Sequence, residues 1–307
     1  MGCRMAKVHD EILTHGRQGA LALAVTPSDQ QAVRLAASFL ALEITETGFT
    51  HPGLCLTVLP YRALPPEAEW RRTSDHVTLS VQPLRDSSGQ FRGVPYGSKA
   101  RLILLYLQSE AIRTGSPVIE LGASMHDWLK RLGISSGGKT YSLVIDQADR
   151  IASCALTFTY RGPTGQTHWQ DSIVRGTFDP RVRGAERLVK LSETFFDALR
   201  RHPTPVNIAA VQTLNDRCSA LDIYLWLCYR LHSLKSSIFI SWTALFKQFG
   251  AATTHLHHFK PRFQRDIKAA ESVYPEARLD VVAKGVILHP SPPPAFSSHS
   301  SRPLLIA

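Results

Sequence analysis

The strongest constraint in this sequence is that it repeats itself. ARLILLYLQSEAIRTGSPVIELGASMHDWLKRLG (Ala100–Gly133) and ALDIYLWLCYRLHSLKSSIFISWTALFKQFG (Ala220–Gly250) read alike, about 120 residues apart. Each runs apolar helix, short strand, helix, glycine. Self-similarity on this scale marks a duplicated supersecondary unit, because each copy must bury its apolar faces in the same way.

Each copy also continues alike. After Gly133 the loop ISSGG leads to a third helix, roughly 140–153, and then to two alternating strands, CALTFTY and HWQDSIV, joined at RGPTG. After Gly250 a loop leads to a third helix, roughly 259–274, and then to ARLDVV and VILHP, joined at AKG. Helix, strand, helix, helix and hairpin is the winged-helix order, a variant of helix-turn-helix. The expected fold class is therefore α+β, a tandem winged helix.

This reading accounts for the densest apolar run, LDIYLWLCYRLHSL (Leu221–Leu234). A membrane span needs ~20 apolar residues. The run is shorter than that, and Asp222, Arg230 and His232 interrupt it. As the first helix of the second unit, its leucines and aromatics, Leu225 and Trp226 among them, are expected in the core. No partnership with a membrane is expected.

Outside the repeat the signals are weaker. Residues 1–29 read as an irregular segment. QQAVRLAASFLAL (Gln30–Leu42) has apolar residues at helical spacing, with Ser28 or Asp29 as N-cap. LCLTVLPY (Leu54–Tyr61) and VTLSV (Val77–Val81) read as strands separated by a turn at Pro65–Pro66. The expected organisation is a first winged-helix domain with an N-terminal extension over 30–200, a second over 201–290, and a disordered Pro/Ser-rich tail over 291–307.

Charge points to a partner. The chain of 307 residues carries +10. Residues 1–95 balance at 9 basic against 9 acidic, 96–200 carry 14 against 10, and 201–290 carry 11 against 6. The basic surface thus belongs to the later two-thirds, and nucleic acid is the default partner of such a surface. The five cysteines are scattered, odd in number and without C-x-x-C. That pattern implies reduced thiols in a cytoplasmic protein rather than a disulfide framework or a zinc site. The N-terminus has no apolar stretch of signal-peptide form.

The third helix of the second unit, FKPRFQRDIKAAESVY, is the most informative element. Phe259, Phe263, Ile267, Ala270 and Tyr274 fall near one face. Lys260, Arg262, Arg265 and Lys268 fall away from it, and Pro261 suits a first helical turn. In a winged helix this helix enters the major groove, where phosphates and base edges select Arg and Lys. Lys284 at the hairpin tip and Arg278 on the first hairpin strand are further candidates for DNA contact. The corresponding helix of the first unit, KTYSLVIDQADRIAS, offers Lys139 and Arg150 but also Asp146 and Asp149. The second unit is therefore expected to be the main DNA reader.

No catalytic site, metal site or cofactor is expected. HLHH (His255–His258) has the His-hydrophobic-His form of a rolling-circle nickase, which would use Tyr274, but these histidines precede a helix and no acidic third ligand is near. SSGGKT (Ser135–Thr140) follows a helix and lacks the full G-x-x-x-x-G-K-[ST] loop, and neither H-E-x-x-H nor G-x-S-x-G occurs.

Several of these stretches together resemble the RepA-type plasmid replication initiators. The resemblance is carried by HPGLCLTVLPYR (His51–Arg62), VTLSVQP (Val77–Pro83), VPYGSKARLILLYLQSEAIRTGSPVIELGASMHDWLKRLGI (Val94–Ile134), SLKSSIFISWTALFKQFG (Ser233–Gly250) and YPEARLD (Tyr274–Asp280). It implies a non-enzymatic protein that binds double-stranded origin DNA sequence-specifically and recruits the host initiator and replicative helicase. It also implies monomers on repeated sites and a homodimer that represses its own promoter. SGGKTYSLVIDQADRI departs from the family by lacking an Arg-rich look. A rolling-circle nickase and a winged-helix transcriptional repressor are the alternatives.

Overall fold

The structure is a computed structural model. It describes residues 7–294 apart from 45, 75–76, 87, 123, 136, 163–164, 172 and 175–187. The N-terminal segment is not irregular. Helix α1 (Lys7–Leu23) occupies most of it, broken at Gly16, whose φ is 68°. The polar residues around this break hide the helical period in the sequence. Ile12 and Ala20 of α1 pack on Val33 and Ala36 of α2 (Pro27–Leu40), forming a small second core. Helix α2 is capped by Thr26, not by Ser28 or Asp29. The Thr26 hydroxyl accepts from the Asp29 N–H, the Asp29 carboxylate accepts from the Thr26 N–H, and Pro27 opens the first turn.

Strand β1 (Thr47–Thr50) follows. The expected strand at Leu54–Tyr61 begins instead as helix α3 (Pro52–Leu56), with no strand after it. Pro52 stands at the first helical position and the His51 ring accepts from the Gly53 N–H, so the chain enters a helical turn despite its apolar run. Strands β2 (Trp70–Thr73) and β3 (Val77–Pro83) pair antiparallel.

The first repeated unit is α4 (Gly97–Thr114), β4 (Val118–Glu120), α5 (Met125–Arg131), α6 (Gly138–Ala152), β5 (Cys154–Gly162) and β6 (Gly165–Asp171). Gly115 ends α4 at φ 66°, the left-handed turn that glycine reaches without strain. Strands β5 and β6 form the expected hairpin, but β5 also pairs with β3, giving a four-stranded sheet in the order β2-β3-β5-β6. Strand β4 pairs with β7 (Leu188–Lys190) instead. Then come α7 (Glu193–Arg201), β8 (Thr204–Asn207), paired with β1, and α8 (Ile208–Thr213).

The second unit is α9 (Cys218–Leu231), β9 (Ile238–Ser241), α10 (Trp242–Phe249), α11 (Leu256–Glu271), β10 (Leu279–Val282) and β11 (Gly285–Leu288). Here the short strand does join the hairpin, in an antiparallel sheet ordered β10-β11-β9. Gly285 is required at the start of β11, since a Cβ there would overlap the Ile240 carbonyl oxygen on β9. The tail beyond is packed at first. Ser291 is buried, its hydroxyl accepts from the Arg278 N–H, and the Pro292 carbonyl accepts from the Tyr274 hydroxyl. Residues 295–307 of the expected disordered tail lie outside the described residues.

One hydrophobic core runs through both units. Pairing of β1 with β8 crosses position 200, so the first unit's N-terminal extension is stitched to the start of the second. Leu225 and Trp226 lie in this core, and the Trp226 ring meets Phe249 edge-on at 5.4 Å. Trp226→Ala should lower unfolding stability by about 3–5 kcal/mol, the usual cost of emptying a buried aromatic site. Urea unfolding at fixed pH measures this, and an unchanged midpoint would remove Trp226 from the core.

Candidate nucleic-acid interface

Helix α11 is held by its aromatics. Phe259 and Phe263 meet tilted at 5.2 Å, Phe259 meets Phe246 at 5.4 Å, and Phe263 meets Phe249 at 5.5 Å and Trp242 at 6.0 Å. Ile267 and Ala270 continue this buried face. The helix begins at Leu256, earlier than its sequence suggests, so His257 and His258 lie in its first turn and His255 is the N-cap. Pro261 is therefore past the first turn, where its missing N–H leaves the His257 carbonyl without its helical donor. Tyr274 lies beyond the helix end, fully buried, with its hydroxyl donated to Pro292 at 2.6 Å. That burial takes it out of reach as a nickase nucleophile.

The basic side of α11 divides in two. Lys260 is half-buried, and Arg262 and Arg265 are exposed, with Arg265 3.1 Å from Asp266. Lys268 is committed elsewhere. Helix α2 packs on the C-terminal part of α11, and the Lys268 ammonium pairs with Asp29. This contact and the Thr26 hydroxyl hold the Asp29 carboxyl at about 2. Basic surface is thus left open at the N-terminal end of α11, the end a recognition helix turns toward base edges.

The remaining candidates separate similarly. Lys284 is exposed at a two-residue hairpin tip whose carbonyls are tied down: the Trp242 indole donates to Ala283 at 2.9 Å, and the Trp242 N–H to Lys284 at 3.2 Å. Arg278 is exposed one residue before β10 rather than on the strand. Lys139 is exposed in the first turn of α6. Arg150 serves the fold. Its Nε donates to Asp146 at 2.9 Å, its guanidinium lies over the Tyr96 ring at 5.1 Å, and a Cβ on Gly93 would come within 2.5 Å of it. Beside it, Gln147 accepts from the Tyr96 N–H at 2.7 Å. This face of α6 cradles the chain before α4, which is why its charges balance.

Sequence reasoning passed over the residues that join the units. Arg101 on α4 and Asp222 on α9 form a buried bidentate pair at 2.6 and 2.8 Å. Arg101 also donates to the carbonyls of Leu59, Pro60 and Gly97, so all five of its N–H groups are used. Burial opposes its charge, but the Asp222 carboxylate overcomes this and holds the guanidinium protonated. Arg72 on β2 donates to the carbonyls of Phe246 and Gln248 at the end of α10. A charge within the apolar stretch of each helix, Arg101 before LILLYL and Asp222 before IYLWL, is the one signal of this lock in the sequence. Among the described residues no group of three or more His, Cys, Asp or Glu is placed to hold a metal ion, and no helix is long and apolar enough to cross a membrane.

Two helix–strand–helix units on one core, with a cationic helix on the second, define an α+β protein with the electrostatics of a nucleic-acid binder. Residues 94–243 match the family model of the plasmid encoded RepA protein, so over that stretch, just under half of its length, the chain is similar to the RepA-type replication initiators. The matched residues end at the start of α10, before α11. No curated protein sequence matches. Two solved structures of domains 2 and 3 of RctB are similar in part. The selenomethionine form is 13% identical, covering 69% of this chain and 80% of that chain at a TM-score of 0.45. The other is 11% identical, covering 76% and 94% at 0.47.

The C-terminal end of α11 carries a pH signature. Burial pushes the Glu271 carboxyl up to about 8, against a usual 4.5, with Lys268 opposing the shift and Asp280 adding to it. Between those values the unfolded chain gives up this proton while the folded chain keeps it. Stability therefore declines as pH rises from about 4.5 to about 8. Glu271→Gln should flatten that decline and leave the variant more stable than wild type at alkaline pH. Urea unfolding across this range checks it, and parallel profiles for the two proteins would contradict it.

Proposed function

We propose that this protein initiates plasmid replication in the cytoplasm by binding double-stranded origin DNA sequence-specifically through two winged helices, of which the second is the main reader. The observation that carries the reading is the open basic end of α11, where Lys260, Arg262 and Arg265 stand away from the buried Phe259, Phe263 and Ile267. Its aromatic anchoring lets the helix present those cations without disturbing the core. The hairpin of the β10-β11-β9 sheet, which packs on α10, offers Lys284 at its tip as a phosphate contact. In the first unit Lys139 is the corresponding contact. The match to the plasmid encoded RepA protein supports the initiator role over that of a plain repressor. Recruitment of the host initiator and replicative helicase, and a repressing homodimer, belong to the same proposal. The protein acts by binding, not by catalysis.

Duplexes selected by the purified protein from a random library provide the test. Arg262→Ala and Arg265→Ala should lose discrimination between selected and scrambled duplexes, about 1–3 kcal/mol for each bidentate guanine contact removed. Lys260→Ala should weaken both duplexes equally, as removal of a phosphate contact does. Lys268→Ala should leave DNA affinity unchanged, because its ammonium is already paired with Asp29. Wild-type binding by all three of Lys260→Ala, Arg262→Ala and Arg265→Ala would move the reader to the first unit. Supplying the protein in trans to an origin fragment separates initiator from repressor: replication supports the first, and silence with intact promoter repression the second.

A further inference from the structure

The N-terminal extension and the second unit meet along an open groove of about 830 Å³. Tyr61, Arg62 and Trp70 of the N-terminal extension line one wall, and Thr254, His258 and Arg262 of the second unit line the other. No aspartate or glutamate lines it. Neither Arg62 nor Arg262 has a hydrogen-bond or ion-pair partner among the described residues, and both are exposed. Unpaired cations on both walls of an acid-free groove repel one another until an anion enters. The groove continues past Asp266, which is paired with Arg265, toward Cys218 and Ser219 at the start of α9, whose first N–H groups carry no side-chain cap. Such uncapped groups also favour an anion.

The walls are held rigidly. Arg101 grips the carbonyls of Leu59 and Pro60, the Gly97 N–H donates to Pro60 at 3.0 Å, and the Trp70 indole donates to Val58 at 2.8 Å. Arg72 fixes β2 to the end of α10. Every one of these bonds is made by backbone or by side chains that are at least partly buried, so the backbone leading to Arg62 is held in place without DNA.

We infer that this groove takes the sugar–phosphate backbone of a DNA duplex, with Arg62 as a phosphate contact supplied from outside the second unit. The inference rests on the reading of α11 as the DNA reader, since it carries the same duplex off the N-terminal end of that helix and onto the N-terminal extension. It also gives the extension a DNA contact in addition to Lys139 of α6, where Arg150 is committed to Asp146.

The test uses the full chain, its selected duplex, a scrambled duplex and one strand of the selected duplex, each titrated at several salt concentrations. Arg62→Ala should bind both duplexes more weakly, with unchanged discrimination. Its dependence of log affinity on log salt should fall by about 0.9, the slope of the single phosphate that Arg62 neutralises in wild type. Arg62→Lys should recover the slope, and the melting temperature should stay at the wild-type value. Wild-type affinity and slope for Arg62→Ala, with wild type binding duplex, would overturn the inference and leave the α11 reading standing. A defect in single-strand binding alone would assign the groove to unpaired DNA and overturn it too. Failure of wild type to bind any duplex would overturn both.

Discussion

The buried pair between Arg101 and Asp222 is the contact on which the arrangement of the two units depends. Each residue sits in the first helix of its unit, among side chains that are otherwise apolar, and the two side chains are 4% and 5% exposed. A buried charge without its partner costs about 3–5 kcal/mol, so neither can leave the other cheaply. The pair also sets geometry, because the donors Arg101 does not spend on Asp222 hold the carbonyls of Leu59, Pro60 and Gly97. One side chain thereby fixes α4 to α9 and both to the chain entering the groove.

From that frame the division of labour between the copies follows. In the second copy β9 joins the hairpin, α11 sits on a bed of aromatics, and its N-terminal cations are open. In the first copy β4 turns to β7, the hairpin is absorbed into a sheet with β2 and β3, and α6 spends Arg150, Asp146 and Gln147 on the chain before α4. The two units share one local order, and different neighbours give them different surroundings. Helix α2 trims the basic surface further by covering the far end of α11 and pairing with Lys268.

Much of this was legible in the sequence where local chemistry and the repeat agreed. The helices of both units, the strand at 238–241 and the core position of Trp226 all follow from apolar period and turn residues. The misses have physical causes. Helix α1 is interrupted by Gly16 and thinly apolar, so its pattern is diluted. Helix α3 looks like a strand because it is apolar on every side, and only Pro52 and the His51 cap reveal it. The departure of β4 from its hairpin, the pairing of Lys268 with Asp29 and the Arg101–Asp222 lock join residues 68 to 239 positions apart, and no local pattern encodes such partners. Within the candidate interface, residue type was legible and availability was not. Arg150 and Lys268 look like Arg262 in sequence, and only their neighbours separate them.

The frame itself can be tested by hydrogen-exchange mass spectrometry on Asp222→Asn, which keeps the side-chain shape and removes the charge facing Arg101. If the pair holds the units as one body, protection falls together in α4, in α9 and in residues 58–62, and the protein unfolds in a single transition of lower midpoint. Reduced protection confined to α9, with α4 and residues 58–62 exchanging as in wild type, would contradict the claim that this pair locks the two units and the extension wall of the groove.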